Sequence, residues 1–295
     1  MTTRRSARLL AKAATPAAEV AARPGKVVKR SPKKPKLAKA VQTANGPLET
    51  APASTAIVHA TLADPGAMDA AIRHLKEADP ELARIIDKTT EVCSMALPRD
   101  DAGDTSYVSL CKSIIFQQVA GSAARAILLR FLRQYGTLKR TSPLPEGAQL
   151  TPADFVFPSA QAIVDMNVEE MRSYGLSQRK AEYLQAVAEQ FNNGTLSEEQ
   201  LARMTDAEVS QALVAIRGIG QWTADMFLMF HLKRPNVLPT LDLAVRKAMC
   251  HHFKVPFGKK TPTHEQMVDM ARAWEPYRSV ATWYMWRLAG TITQK

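Results

Sequence analysis

Residues 213–224 read LVAIRGIGQWTA, and this stretch decides the fold. Gly218 and Gly220 interrupt two apolar runs of helical spacing, DAEVSQALVAI before them and QWTADMFLMFHL after them. Glycine tolerates positive φ and lets another backbone come close. The pattern therefore predicts a helix, a tight turn and a second helix over about residues 205–232.

The start of the second helix predicts a phosphate-binding site. The first N–H groups of a helix have no partner inside it, and the helix dipole favours an anion at that end. Such a site needs no lysine side chain, because backbone groups bind the anion. The alternative is an ordinary pair of helices with glycines at the turn, and the spacing alone does not separate the two.

Basic residues are concentrated at the beginning of the chain. The net charge is +11 over 295 residues. Residues 1–50 hold twelve Lys or Arg and two acidic residues, a net +10, which leaves +1 for residues 51–295. Residues 1–60 contain no aromatic residue and are rich in Ala, Pro, Lys and Thr, so they predict a disordered basic tail. Because residues 51–295 are nearly neutral, their charge gives no argument that this part of the chain binds nucleic acid.

The tail also bears on location. Residues 29–36 read KRSPKKPK, which is typical of a nuclear-import signal or of an arm that contacts phosphates; a solubilising tail is the alternative. We expect a nuclear protein, while the Arg-rich N-terminus leaves a mitochondrial presequence open. Cys93, Cys111 and Cys250 show neither metal-ligand spacing nor a disulfide framework, which favours a reducing compartment. No apolar run is long enough to cross a membrane.

Residues 61–295 predict an all-α domain, because helical periodicity recurs and strict alternation is nearly absent. Asp64 is the expected N-cap of the first helix, with Pro65 in its first turn. One helix is expected from about Thr105 to Tyr135, and the Pro-rich stretch from Thr141 to Pro158 predicts a loop or an insertion. Further helices are predicted near residues 159–172, 178–192, 197–203, 205–215, 221–232, 240–253, 263–273 and 278–290.

A second motif follows about twenty residues after Gly220, where VLPTLDLAVRKAM (Val237–Met249) puts Asp242 at a predicted helix start. An acid in that place is most often only an N-cap. Hairpin, proline-containing loop and acid in this order, however, resemble the helix-hairpin-helix DNA glycosylases. The resemblance is to the branch that removes alkylated bases such as 3-methyladenine.

Three further stretches carry the resemblance, which covers roughly residues 105–290. They are IIFQQVAGSAA (Ile114–Ala124), YGLSQRKAEYLQAVA (Tyr174–Ala188) and WEPYRSVATWYMWRL (Trp274–Leu288). The resemblance implies a compact, two-lobed, all-helical fold. The additional β domain of larger bacterial relatives and the cysteine cluster of iron–sulfur relatives are not expected.

The resemblance implies a base-excision-repair enzyme that flips an alkylated purine, of the 3-methyladenine or 7-methylguanine type, out of double-stranded DNA. Hydrolysis of the N-glycosidic bond would leave an abasic site. Asp242 would be the catalytic carboxylate, which stabilises positive charge on the sugar and can help to place a water. Aromatic walls suit a cationic base. The expected pocket residues are Trp222 and Trp286, with Met226 and Trp283 nearby.

The same resemblance implies the DNA contacts. Gln118 would lie near the wedge that fills the vacated stack, although a polar residue on a helix surface is the alternative. The expected DNA-binding residues are Gln118, Arg217, Gly218, Ile219, Gly220 and Gln221. No cofactor is expected to be required. An optional Na⁺ or K⁺ ion would be held by the backbone carbonyls of Val214, Ile216 and Ile219.

One departure from the family bears on chemistry. Bifunctional relatives carry a nucleophilic lysine where this chain has Trp222, and an indole cannot form a Schiff base. We therefore expect a monofunctional enzyme without lyase activity. The protein is also expected to be a monomer. Two competing hypotheses are a non-enzymatic helix-hairpin-helix DNA-binding protein and a helical scaffold whose tail alone contacts nucleic acid. The sequence does not choose among 3-methyladenine, 7-methylguanine, hypoxanthine and ethenoadenine.

Overall fold

A computed structural model of the chain describes residues 60–95, 104–140, 147–258 and 260–293. The predicted tail, with its KRSPKKPK stretch, lies outside these residues except for Ala60. The described part is dominated by helices, which confirms the all-α fold class. In chain order they are α1 Ala67–Ala78, α2 Pro80–Lys88, α3 Ser106–Phe116, α4 Gly121–Tyr135, α5 Ala160–Asp165, α6 Val168–Ser173, α7 Gln178–Asn192, α8 Glu198–Arg203, α9 Asp206–Val214, α10 Gln221–Met226, α11 Leu243–His252, α12 His264–Met270 and α13 Arg278–Thr293.

A short antiparallel strand pair corrects the prediction of a plain loop over residues 141–158. Strand β1 (Thr137–Leu138) pairs with β2 (Phe155–Val156), and Thr137 lies opposite Val156. A 3₁₀ turn at Pro152–Asp154 leads into β2. Strands of two residues show too little alternation to be recognised in the sequence. The Pro-rich stretch therefore connects two strands, although residues 141–146 lie outside the described part.

The single helix predicted from Thr105 to Tyr135 is wrong, because the chain breaks between α3 and α4. Gln118 has φ 57°, a left-handed conformation that is uncommon for residues other than glycine. The Gln117 side chain donates a hydrogen bond to the carbonyl of Gly218 at 3.1 Å. Lys180 Nζ donates to the carbonyl of Ile115 at 2.7 Å, near the end of α3. These tertiary contacts stabilise a break that local propensity does not predict.

Two other helix boundaries differ from the predictions. The first helix begins at Ala67 with Gly66 as its N-cap, so Asp64 is not the cap. The Asp64 carboxylate instead accepts a hydrogen bond from the Thr61 N–H at 2.8 Å. The helix expected over residues 159–172 is two helices, because Asn167 caps a second start through a bond from the Glu169 N–H.

The core forms where the longer helices pack together. Helix α7 packs against α3 and α5, and α11 packs against α13. Ile114 of α3, Leu184 of α7 and Met285 of α13 are fully buried members of this core. In the described part, no helix has the length and apolar character needed to cross a membrane. The α11–α13 contact positions the candidate site, since the two helices present Asp242 and Trp286 to each other.

Candidate active site

The hairpin is closed by a turn that requires glycine. Helix α9 starts with a capping box between Thr205 and Glu208 and ends at Val214. Gly218 has φ 100°, and the Ile219 N–H donates to the Ile216 carbonyl at 3.1 Å. A Cβ on Gly218 would lie 2.2 Å from Cγ of Tyr183. Both the positive φ and the close approach of the Tyr183 ring therefore exclude a larger residue.

Gly220 leaves the start of α10 open. It is the N-cap with φ −99°, and no side chain caps the helix. A Cβ added to Gly220 would meet no atom within 4 Å. The Gln221 side chain bonds instead to Ser210 Oγ and Asp225 Oδ1, each at 2.8 Å. The N-cap of α10 is therefore open to the close approach of another backbone, and no side chain caps the first-turn N–H groups.

Arg217 lies beside this opening on the rim of the hairpin. Its guanidinium forms an ion pair with Glu182 at 2.7 Å and lies 5.8 Å from the centre of the Tyr183 ring. Gln118, at the break between α3 and α4, is exposed. Because Gln117 bonds to the carbonyl of Gly218, that break lies next to the hairpin.

Helix α10 continues into a π-helical turn at Phe227–His231. Turns of this kind are rare and are frequent at functional sites. The Phe230 ring stacks against Trp286, with 5.8 Å between the ring centres and 21° between the planes. His231 Nε2 lies 2.9 Å from Ser106 Oγ, which connects the turn to the start of α3.

Asp242 is the N-cap of α11. Its own N–H donates to the Pro239 carbonyl at 3.0 Å, which forms a tight turn before the helix. Its Oδ1 accepts a hydrogen bond from the Val245 N–H at 2.9 Å. The capping role that the sequence alone suggests is therefore present.

Two indoles also bind the Asp242 carboxylate. Trp222 Nε1 donates to Oδ2 at 2.8 Å, and Trp286 Nε1 donates to Oδ1 at 3.1 Å. The three side chains come from α10, the start of α11 and α13, and Trp286 is 44 residues from Asp242 in the chain. With the Val245 N–H, three donors fix the orientation of one carboxylate. The ring edges point at the carboxylate, so the ring faces are the surfaces left to form walls.

The structure does not bring all expected pocket residues to this carboxylate in the same way. Met226 is half-buried and packs against the core. Trp283 is 1% exposed, its ring makes an edge contact with Tyr284, and the Arg287 guanidinium lies 4.5 Å above it. Trp283 is therefore a core residue in this structure and presents no open face.

Several residues of the site were not predicted from the sequence. Leu241 and Leu243 flank Asp242 and are 62% and 51% exposed, unusual for leucine beside a polar group. Phe230 stacks on Trp286, and Gln117 holds the hairpin. Apolar residues on both sides of a lone acid were a usable signal for the leucines, whereas the sequence carries none for the contacts of Phe230 and Gln117.

A second buried acid lies on the hairpin helix. Burial raises the pKa of Asp225 to about 6, although the hydrogen bond from Gln221 and the charge of His264 act in the opposite direction. His264 Nδ1 lies 2.7 Å from Thr240 Oγ1, in the loop that leads to Asp242. Asp225 therefore occupies a polar cluster between the hairpin and that loop.

Comparison with known proteins was consistent with this geometry. Residues 111–276 match the HhH-GPD superfamily of base excision DNA repair proteins. The chain is 30% identical over 230 residues to a putative DNA-3-methyladenine glycosylase of Bacillus subtilis, which covers 76% of this chain and 75% of that protein. It is 31% identical over 182 residues to DNA-3-methyladenine glycosylase 1 of Schizosaccharomyces pombe. The match covers 61% of this chain and 71% of that protein.

Solved structures agree. A 3-methyladenine DNA glycosylase from Schizosaccharomyces pombe in complex with abasic DNA aligns with a TM-score of 0.54 at 28% identity, over 74% of this chain and 95% of that one. A DNA-3-methyladenine glycosidase from Bacillus halodurans aligns with a TM-score of 0.60 at 28% identity, over 80% and 94%.

Proposed function

We propose, from the premise that this chain belongs to the HhH-GPD superfamily of base excision DNA repair proteins, that it is a DNA glycosylase acting on alkylated purines. Its reaction would be hydrolysis of the N-glycosidic bond in double-stranded DNA, with an abasic site as product. The observation that carries the proposal is the Asp242 carboxylate held by the indoles of Trp222 and Trp286 beside the glycine hairpin. The names of the relatives support alkylated bases of the 3-methyladenine type.

The hairpin would hold the DNA backbone. The open space at Gly220 and the uncapped start of α10 suit a phosphate that accepts hydrogen bonds from backbone N–H groups. Gly218, Ile219, Gln221 and Arg217 line the same turn. Exposed Gln118, in a left-handed conformation next to the hairpin, would support the gap that the flipped nucleotide leaves. The duplex would be bound mainly through its backbone, which suits a nearly neutral body.

Asp242 would act on the sugar of the flipped nucleotide. As the bond between C1′ and the base nitrogen breaks, its electron pair leaves with the base and neutralises an alkylated, cationic purine. The carboxylate stabilises the positive charge that develops at C1′. Water then adds to C1′ and loses a proton, for which Asp242 can act as acceptor. A cationic leaving group needs little acid assistance, so one carboxylate is sufficient.

The indoles of Trp222 and Trp286 would orient the Asp242 carboxylate and would also bind the flipped nucleobase. Their N–H edges orient the carboxylate, and their faces can stack on a flat cationic ring with about 0.5–2 kcal/mol of cation–π attraction. Phe230 supports Trp286 from behind through its stacking contact. Met226 follows Trp222 by four residues, the exposed Leu243 follows Asp242 directly, and both would contribute apolar surface.

The enzyme would be monofunctional and monomeric. Trp222 stands where a lyase needs its lysine, and its nitrogen is engaged by Asp242. No cofactor would be required. The backbone carbonyls of Val214, Ile216 and Ile219 would hold the optional Na⁺ or K⁺ ion; a carbonyl that accepts one N–H, as that of Ile216 does, keeps a second lone pair for such an ion. Such an ion would supply positive charge beside the turn. The basic tail would direct the protein to the nucleus.

The decisive experiment is single-turnover release of free base from methylated duplex DNA by the parent and by Asp242→Asn. Asparagine keeps the N-cap, so the helix start is retained. We expect the rate to fall by about 100- to 1000-fold with unchanged DNA binding. Asp165→Asn, which changes an exposed acid at the end of α5, is the matched control.

The outcomes distinguish a DNA glycosylase from a non-enzymatic DNA-binding protein. Release that Asp242→Asn leaves intact would contradict the assignment of the acid. DNA binding without release from any alkylated substrate would favour the second candidate, a non-enzymatic binder. The second candidate is supported by the cap that Asp242 provides for α11, because this structural role requires no catalysis.

A further inference from the structure

A cavity of about 800 Å³ lies at the opposite end of α11 from Asp242. It is formed by α2, by the residues around the C-terminus of α11 and by the last turns of α13. Asp242 caps the first turn of α11, and a helix of this length spans about 15 Å. The cavity shares no lining residue with the Asp242, Trp222 and Trp286 cluster, although its Arg287 and Leu288 directly follow Trp286 in the chain.

The lining of the cavity carries more positive than negative charge. Among the described lining residues the one carboxylate is Glu81, the cations are Arg84, Lys88, Lys254 and Arg287, and His251 and His252 add two imidazoles. Arg84 forms an ion pair with Glu81, and Arg287 forms one with Glu91. Lys88 and Lys254 have no ion-pair partner among the residues that the structure describes. Because residues 51–295 carry a net charge of only +1, this cluster is a local concentration of positive charge.

Two buried polar atoms of the lining residues have no hydrogen-bond partner within the described part of the chain. They are Nε of Arg287 and Nδ1 of His252, whose side chain is 2% exposed. Nε2 of His252 donates to Asp79 at 2.7 Å, so the other ring nitrogen alone is unpartnered. Both atoms are buried behind the lining, so a ligand in the cavity would bond to the exposed Lys88 and Lys254 rather than to them.

Lys254 is held in an unusual conformation at the rim. It has φ 56° at the end of α11, and the Val255 N–H donates to the Cys250 carbonyl at 2.9 Å in the manner of a glycine-terminated helix. The left-handed conformation is unfavourable for a residue other than glycine. The chain has a lysine there nonetheless, and it places a cation at the rim.

The remaining lining is aliphatic. Ile85, Val255 and Leu288 are half-buried and lie among the cations. Among the residues that the structure describes, no Phe, Tyr or Trp lines the cavity, although a nucleobase is usually bound by stacking on such rings. An aliphatic floor with a cationic rim instead matches a peptide with one apolar side chain between carboxylates.

We propose that this cavity is a docking site for an acidic peptide segment of a partner protein. An aliphatic side chain of the segment would contact Ile85 and Leu288, and its carboxylates would pair with Lys88 and Lys254. The proposal goes beyond the glycosylase function and does not rest on it. Partner and DNA could be bound at the same time, because they would use opposite ends of α11.

The test is selection of displayed twelve-residue peptides on the full chain, followed by fluorescence-anisotropy titration of the enriched peptides. The comparison variant is Lys88→Glu with Lys254→Glu. Arg133→Glu with Lys139→Glu is the matched control, since both residues are exposed, lie outside the lining and change the charge equally. The basic tail is present in every variant, so its attraction for acids is constant.

We expect enriched peptides with several acidic residues around a Leu, Ile or Val. Their affinity should fall at least tenfold in Lys88→Glu/Lys254→Glu and stay within twofold in the control pair, while base release from methylated DNA is unchanged in both. Failure of any peptide to enrich, enrichment of non-acidic peptides, or equal loss of affinity in both pairs would overturn the proposal. Absence of base release in the parent would count against the glycosylase function and leave this test unaffected.

Discussion

The indole nitrogen of Trp222 lies 2.8 Å from Oδ2 of Asp242, and it comes from the helix that follows the glycine turn. A residue in the first turn of α10 therefore also orients the carboxylate. Helix α10 would therefore connect the DNA backbone bound at the turn to the sugar placed at Asp242.

Trp222→Phe tests this hydrogen bond, because it keeps an aromatic face and removes the N–H donor. A hydrogen bond to a charged group contributes about 1.5–3 kcal/mol. We expect single-turnover base release to fall by about tenfold or more, with DNA affinity unchanged. In the Asp242→Asn background the same change should have little further effect, since the pair acts as a unit. Independent, multiplicative losses would contradict the coupling.

The two glycines of the turn should respond differently to alanine. In Gly218→Ala, the new Cβ would lie 2.2 Å from the Tyr183 ring at φ 100°, so we expect a clearly lower melting temperature. In Gly220→Ala, the Cβ meets no atom within 4 Å, so the melting temperature should stay within about 2 °C. DNA affinity should nevertheless fall at least tenfold, because the methyl group occupies the space proposed for a phosphate. Full DNA affinity in Gly220→Ala would refute that use of the turn.

How far the sequence predicts the structure depends on how local each contact is. The hairpin and the cap at Asp242 follow from residues close in the chain, and they were predicted. The break at Gln118 was missed because its support comes from Gly218, 101 residues away from Gln117. The bond from Trp286 to Asp242 likewise depends on the packing of α11 on α13. The family resemblance implies that Asp242 and Trp286 lie in one pocket, whereas helical periodicity does not give the orientation of the indole ring.

Borohydride trapping tests the proposed absence of lyase activity. A Schiff base needs a lysine nitrogen at C1′, and the position after the turn holds Trp222 with its nitrogen bonded to Asp242. We expect no covalent enzyme–DNA adduct on denaturing gels under conditions that give full base release. Lys180, whose pKa is lowered by burial, is the residue to replace first if an adduct forms. An adduct that survives Lys180→Arg would require another nucleophile.

Asp79 should make stability depend on acid pH. Burial raises its pKa, but hydrogen bonds from His252, from the Leu82 N–H and from Trp274 together lower it to about 2. Its carboxylate therefore stabilises the fold above the ordinary value of 3.8, and that stabilisation is lost as the pH falls toward 2. Asp79→Asn keeps the cap and should cost about 2 kcal/mol at pH 7 in urea unfolding. The difference from the parent should shrink below about pH 4; a constant difference from pH 3 to 7 would contradict the assignment.

The pH dependence of stability that Asp225 causes should have the opposite sign to that caused by Asp79. Burial raises its pKa to about 6 from 3.8, so the folded state binds a proton more tightly than the unfolded chain does. The stabilisation that protonation supplies is complete below the unfolded value and is lost as the pH rises through 6. Asparagine resembles the protonated acid and can still bond to Gln221. The gain in unfolding free energy of Asp225→Asn over the parent should therefore be about 2 kcal/mol larger at pH 8 than at pH 4 in urea unfolding. A gain that is equal at both pH values would mean that Asp225 is ionised without cost, and that His264 and Gln221 compensate its burial fully.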